Sequence, residues 1–227
     1  MEYKIIYNNT YISCFIFGNN KNIVLAPGLP QYIDKYHPVV EQAKILQCNL
    51  FIPRYYGTHE DPKPKMTLKG CKKAIENTVE LVGKMEATEL FSSQKITWNN
   101  PTSVVIGFSF GALPALMQNL EVTKTILYCP FVSLNFHGQN SSGEVLTQTL
   151  AFLEKAFPGS YRFDCSAFLK EISSAQLPNT KDNLSIVKTA DDDVVPNEEI
   201  NFIAQKYNCP IIKKPGKHKI FLFEDIL

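Results

Sequence analysis

Ser103-Val104-Val105-Ile106-Gly107-Phe108-Ser109-Phe110-Gly111-Ala112-Leu113-Pro114-Ala115-Leu116 joins a β-branched apolar run to a helix-forming one, through two glycines that bracket a serine. β-branched residues fit a pleated strand, and the Ala/Leu segment fits a buried helix. The G-x-S-x-G spacing between them is that of a sharp strand-to-helix bend. The positions on either side of the serine must be small where strand and helix pass closely, and Gly has no Cβ to clash. Such a bend lifts the Ser109 hydroxyl clear of the backbone, beside a helix N-terminus whose free N–H groups favour negative charge. Ser109 is therefore the candidate nucleophile.

The flanking sequence predicts the layers around this bend. Residues 3–7 and 11–17, on either side of Asn8-Asn9, read as a hairpin. Residues 22–26 form a short apolar strand of the kind covered on both faces, ending at Pro27-Gly28-Leu29-Pro30. A helix is expected over 33–47 and a strand over 50–52, which runs into Pro53-Arg54-Tyr55-Tyr56-Gly57. Residues 58–65 are polar loop. Thr67 caps a long helix whose buried face carries Ala74, Ile75, Val79 and Val82. Breakers between residues 91 and 100 obscure its end, and Trp98 among them is expected to anchor a loop.

Beyond the bend a strand is predicted over 124–128, another over 184–188, a helix over 198–207 and a last strand over 210–213. Residues 131–179 lack this alternation. One helix (145–157) and an amphipathic piece (167–172) make the region a small insertion over the sheet, with Phe131, Phe136, Phe152 and Phe157 expected to pack it down. The whole pattern predicts an α/β fold with a mostly parallel sheet of about eight strands, helices on both faces, and a cap-like insertion at about 131–180 after the sixth strand. A chain of 227 residues fits one such domain, 1–227.

Composition narrows the function. A formal net charge of +1 gives no electrostatic reason to expect nucleic acid or an anionic membrane as partner. The N-terminal residues lack the basic and apolar regions of a secretory signal, and no stretch is apolar enough to insert stably in a bilayer. Cys14, Cys48, Cys71, Cys129, Cys165 and Cys209 form no C-x-x-C pair. Small thiols in a reducing cytoplasm account for them better than a disulfide framework or a zinc site.

A serine hydroxyl needs a base, and the base needs an anion to orient it. Two later strand ends offer them: Thr189-Ala190-Asp191-Asp192-Asp193-Val194-Val195-Pro196, and Pro215-Gly216-Lys217-His218. Ser, then Asp, then His is the order tied to this bend. Counting along the chain does not separate Asp191, Asp192 and Asp193. Among the histidines, His37 lies near a helix start, His59 in a polar loop beside Glu60 and Asp61, and His137 inside the insertion. Only His218 follows a strand end in the required order, so it is the candidate base. Arg54 and Tyr55 are candidate substrate-binding residues at the entrance. Arg54 would hold a carboxylate by a bidentate fork, or would pair with an acidic surface residue.

With these three stretches in this order, the chain resembles the α/β-hydrolase superfamily along essentially its whole length. The acid of that family commonly lies in a D-x-x-V-P loop, a match that selects Asp192 ahead of Val195-Pro196 and leaves Asp191 and Asp193 as alternatives. The resemblance implies an oxyanion hole made by the backbone N–H groups of Leu29 and Phe110. Many relatives carry His-Gly where this chain has Pro27-Gly28, a change that keeps the Leu29 main-chain donor. It further implies a serine hydrolase that cleaves a carboxylic ester or thioester of a small-molecule acyl substrate through an acyl-enzyme on Ser109, with no metal or organic cofactor. A peptidase or amidase of the same fold is the alternative if Arg54 faces the pocket. A non-catalytic binding protein is the third reading.

Overall fold

The computed structural model of the protein describes residues 1–18, 21–58, 65–134, 142–157 and 159–227. His59, Phe136 and His137 lie outside them. Asn8 and Asn9 both take positive φ (47° and 63°). That turn closes β1 (Glu2–Tyr7) onto β2 (Thr10–Phe15) as an antiparallel hairpin. β3 (Lys21–Ala26), α1 (Pro38–Ile45), β4 (Cys48–Pro53) and α2 (Leu68–Lys84) follow. A short hairpin, β5 (Glu86–Thr88) and β6 (Lys95–Thr97), precedes β7 (Ser103–Phe108) and α3 (Ala112–Met117). The chain continues through β8 (Lys124–Tyr128), α4 (Ser142–Ala156), α5 (Cys165–Ser173), β9 (Leu184–Thr189), α6 (Asn197–Tyr207) and β10 (Ile211–Lys214).

Eight strands form the main sheet, in the order β1-β2-β4-β3-β7-β8-β9-β10. β2 is antiparallel to both its neighbours, and from β4 to β10 every pairing is parallel. The chain steps from β3 outward to β4, then returns to lay β7 on the other side of β3. This reversal opens a crevice at the C-terminal ends of β3 and β7, where Ala26 faces Gly107.

Alternate residues of the central strands feed two cores. Val24 and Val105 pack with α2 residues such as Ala74 and Ile75, while Leu25 and Ile106 pack with Val39 and Val40 of α1 on the opposite face. Thr67 caps α2 through Gly70 N, as its position predicts. The first helix is shorter than expected. It begins after His37, whose ring Nδ1 accepts from Val39 N, with Pro38 in the first turn. The β5–β6 hairpin is not foreseen from sequence, because Ser-Ser and Asn-Asn-Pro read as breakers. Trp98 anchors its end: the buried indole donates to the Val82 carbonyl (2.9 Å) and meets Phe51 edge-on.

α4 and α5 occupy the segment between β8 and β9. Leu146, Leu150 and Leu153 bury the inner face of α4, together with Phe131, against the main core. Phe152 and Phe157 contradict expectation. They remain 60% and 47% exposed and pack on one another: the 3.6-residue period turns Phe152 away from the side that buries Leu150 and Leu153, and Phe157 lies just past the helix end at Ala156. Among the described residues no helix is long and apolar enough to cross a membrane.

The tightest point of the fold is the bend itself. A Cβ on Gly111 would fall 2.2 Å from the Ala26 carbonyl oxygen. Gly111→Ala should therefore cost about 3 kcal/mol of stability by overpacking. Gly159→Ala, with nothing within 4 Å of the added methyl, should stay within about 0.5 kcal/mol of the parent. Urea unfolding of the two variants tests the contrast.

Candidate active site

Ser109 sits between β7 and α3 with φ at +51°, a left-handed conformation that is strained for a side chain of this kind. Two crossings impose it. A Cβ on Gly107 would come within 2.6 Å of Ala112 Cα, and Gly111 lies against the end of β3. Gly28 completes the packing, since its own Cβ would stand 3.1 Å from Ser109 Cβ. Residues 27–29 can thus run directly beside the serine. That loop is held by the Tyr55 hydroxyl, which donates to the Pro27 carbonyl (3.1 Å), and by Gln31 N, which donates to the Gly28 carbonyl. Leu29 and Phe110 line the same small cleft as Ser109.

Asp192 and His218 meet at the ends of β9 and β10. His218 Nδ1 donates to Asp192 Oδ1 at 3.0 Å, the usual length for such a bond. The same oxygen accepts from Val194 N (2.9 Å) and Val195 N (3.1 Å). Burial alone would raise this carboxyl's pKa. The bond to His218, the charge of that ring and the two amides overcome it and hold the value down to about 2. Asp192 is thus an acceptor at neutral pH, with its side chain fully enclosed. Asp191 and Asp193 are exposed on either side of it.

The His218 ring lies against Phe108, the residue before the serine, with centroids 5.1 Å apart. Among the described residues no hydrogen bond joins the ring to the Ser109 hydroxyl. Beside Asp192 and His218 stands Cys129, just past β8. Its buried thiol is 3.3 Å from the Thr189 hydroxyl, and burial, then the Asp192 charge, pushes its pKa up to about 12.

Arg54 and Tyr55 do not line the entrance. Arg54 N still pairs with Tyr11 O of β2, so the side chain leaves across the sheet face rather than at its C-terminal edge. Its guanidinium is buried on Ser13 Oγ (2.8 Å) and the Ile33 carbonyl (2.7 Å), with Glu2 at 3.8 Å. Tyr55 is likewise buried beneath the loop it holds. His37 is committed to its helix cap.

The cleft over Ser109 measures about 30 Å³ and is walled mainly by apolar residues, among them Phe131, Leu146 and Val195. Larger, open grooves lie elsewhere, including those of about 380 and 450 Å³ lined by residues such as Lys21 and Cys48, or Gln118 and Lys181. Both sit by the N-terminal ends of strands, away from the serine.

No protein-family model matches the chain, and no curated protein matches it by sequence. Solved structures do match in shape. An esterase from Exiguobacterium antarcticum superposes with a TM-score of 0.63 at 12% identity, over 98% of this chain and 94% of that one. DcsB, determined with its substrate analogue, gives 0.65 at 12% identity over 96% and 90%. A monoacylglycerol lipase from Paleococcus ferrophilus gives 0.59 at 13% identity over 93% and 91%. The chain has the α/β-hydrolase fold.

Within this hydrolase fold, some neighbours of the site were not anticipated. The Val194 and Val195 amides could have been found, because an Asp two and three residues before free N–H groups folds into a local turn. Phe108 against the imidazole, Cys129 beside Asp192, and Leu146 and Thr149 over the serine carry no signal at the level of sequence pattern.

The Asp192 carboxyl predicts an acid limb. Its folded pKa lies below the unfolded one, so its stabilisation is complete above about pH 4 and is lost as pH falls through about 2. Asp192→Asn should flatten the loss of urea midpoint across that window, whereas Asp193→Asn should leave it as in the parent.

Proposed function

We propose that the protein is a serine hydrolase that cleaves a carboxylic ester or thioester. The observation that carries this reading is the buried Asp192–His218 hydrogen bond at the sheet edge, next to a serine held at positive φ. Asp192 keeps the imidazole proton on Nδ1, which leaves Nε2 to accept the Ser109 proton. Substrate binding closes the remaining gap between hydroxyl and ring, as catalytic contacts commonly tighten only in the complex. Ser109 Oγ attacks the acyl carbonyl, and the Leu29 and Phe110 N–H groups take up the charge on the tetrahedral oxygen. His218 returns the proton to the leaving group, and a water, activated by the same ring, releases the acid.

The apolar cleft favours an uncharged small-molecule acyl group, and the esterase and lipase neighbours share the fold on which this chemistry is run. Engagement of Arg54 away from the cleft removes the feature that would have favoured a peptidase. In the same proposal, residues 1–227 form one domain capped by about 131–180, and the unpaired cysteines support a cytoplasmic setting. The near-neutral charge supports no nucleic-acid partner.

A fluorophosphonate should label the protein at Ser109, and short p-nitrophenyl esters should be hydrolysed. Ser109→Ala should lose both. Asp192→Asn should lower kcat by roughly ten-thousandfold, with Asp191→Asn and Asp193→Asn close to the parent. No labelling of the parent, or equal labelling of Ser109→Ala, overturns the proposal.

A further inference from the structure

Cys129, Asp192 and His218 converge from three different strand ends. The sulfur, one carboxylate oxygen and one ring nitrogen all lie within 4.8 Å of one another. A second observation singles out this cluster. Asp192 Oδ1 takes three donors, yet Oδ2 is buried with no nitrogen or oxygen donor among the described residues, and the weakly donating Cys129 thiol is the further side chain that interacts with this carboxylate. An enclosed carboxylate oxygen without a strong donor is costly, and it is satisfied by a proton donor or by a cation.

We propose that these three side chains form an inhibitory binding site for a thiophilic divalent cation of the zinc class. Sulfur, imidazole nitrogen and carboxylate oxygen are the donor set that suits such ions, and the thiolate disfavours magnesium and calcium. One thiolate and one carboxylate neutralise a divalent charge, so the loaded site is electrically neutral in its buried setting. The Thr189 hydroxyl, 3.3 Å from the sulfur, or a water supplies the fourth ligand. His218 is 15% exposed and gives the ion its way in.

Binding releases one proton to solvent, from the Cys129 thiol, and moves the single His218 proton from Nδ1 to Nε2. The imidazole stays neutral and holds that proton on Nε2. A ring in that tautomer cannot accept the Ser109 proton, and Asp192 is no longer free to orient it. The cation therefore acts as a competitive lock on the base. The inhibitory consequence rests on the hydrolase reading, whereas the binding does not.

Cobalt(II) provides a readout independent of turnover. Added to the purified full chain, it should give a thiolate-to-cobalt charge-transfer band in the near ultraviolet, which zinc then abolishes by displacement. Cys129→Ser should lose the band, while Cys165→Ser and Cys209→Ser should keep it. Should Cys129→Ser fail to fold, His218→Gln decides, with cobalt affinity expected to fall roughly tenfold or more. Micromolar zinc, but not magnesium, should also block ester hydrolysis by the parent, reversibly with chelator. Absence of the band in the parent, or its persistence at full strength in Cys129→Ser or His218→Gln, overturns the site. Failure of ester hydrolysis without added metal overturns the hydrolase reading alone.

Discussion

At the bend between β7 and α3, an added Cβ would come 2.2 Å from the Ala26 oxygen at Gly111 and 2.6 Å from Ala112 Cα at Gly107. Real Cβ atoms do not approach so closely, so helix, strand and the end of β3 can meet only where side chains are missing. Everything at the site is registered from this contact. It forces Ser109 to positive φ, brings residues 27–29 alongside the hydroxyl, and fixes the edge toward which β9 and β10 deliver the acid and the base. The strain costs on the order of 1–3 kcal/mol and is sustained by the fully buried strands on either side.

Polarity around the acid is set with the same economy. A buried carboxylate is tolerated because Oδ1 collects two amides and an imidazole. These donors come from its own turn and from one neighbouring loop. Fixing the carboxylate therefore fixes the ring, and the Phe108 face limits the direction in which the ring can turn. The turn that follows β8 is tied into the same assembly, since Phe131 N donates to the Ser109 carbonyl.

Much of this was legible in the sequence, for physical reasons. Apolar runs such as 22–26 and 103–106 bury both faces, so composition alone marks them as central strands. Asn8-Asn9 and Thr67 announce a turn and a cap by local hydrogen-bonding chemistry. Spacing alone left Asp191, Asp192 and Asp193 open, and only the resemblance to a D-x-x-V-P loop pointed to Asp192. Where the outcome depended on which way a side chain leaves the backbone, sequence was insufficient. Arg54 turned across the sheet because residue 54 still pairs with β2. Phe152 faced outward because Leu146, Leu150 and Leu153 had taken the inner side of its helix, and Phe157 because the helix stops one residue before it. The β5–β6 hairpin is three residues a side and leaves too short a pattern to detect.

The histidine rides on an edge of the sheet, in a segment that follows a strand with one partner only. Its placement depends on moorings at both ends. Asp191 N holds the Gly216 carbonyl on one side, while on the other Ile220, Leu222 and Ile226 sink into the α1 face of the core and Leu222 N reaches Gln42. Those apolar residues behave as a tether whose tension sets where the imidazole hangs. Loosening an anchor far from the nucleophile, with the rest of the sheet untouched, would leave a folded protein with its base adrift.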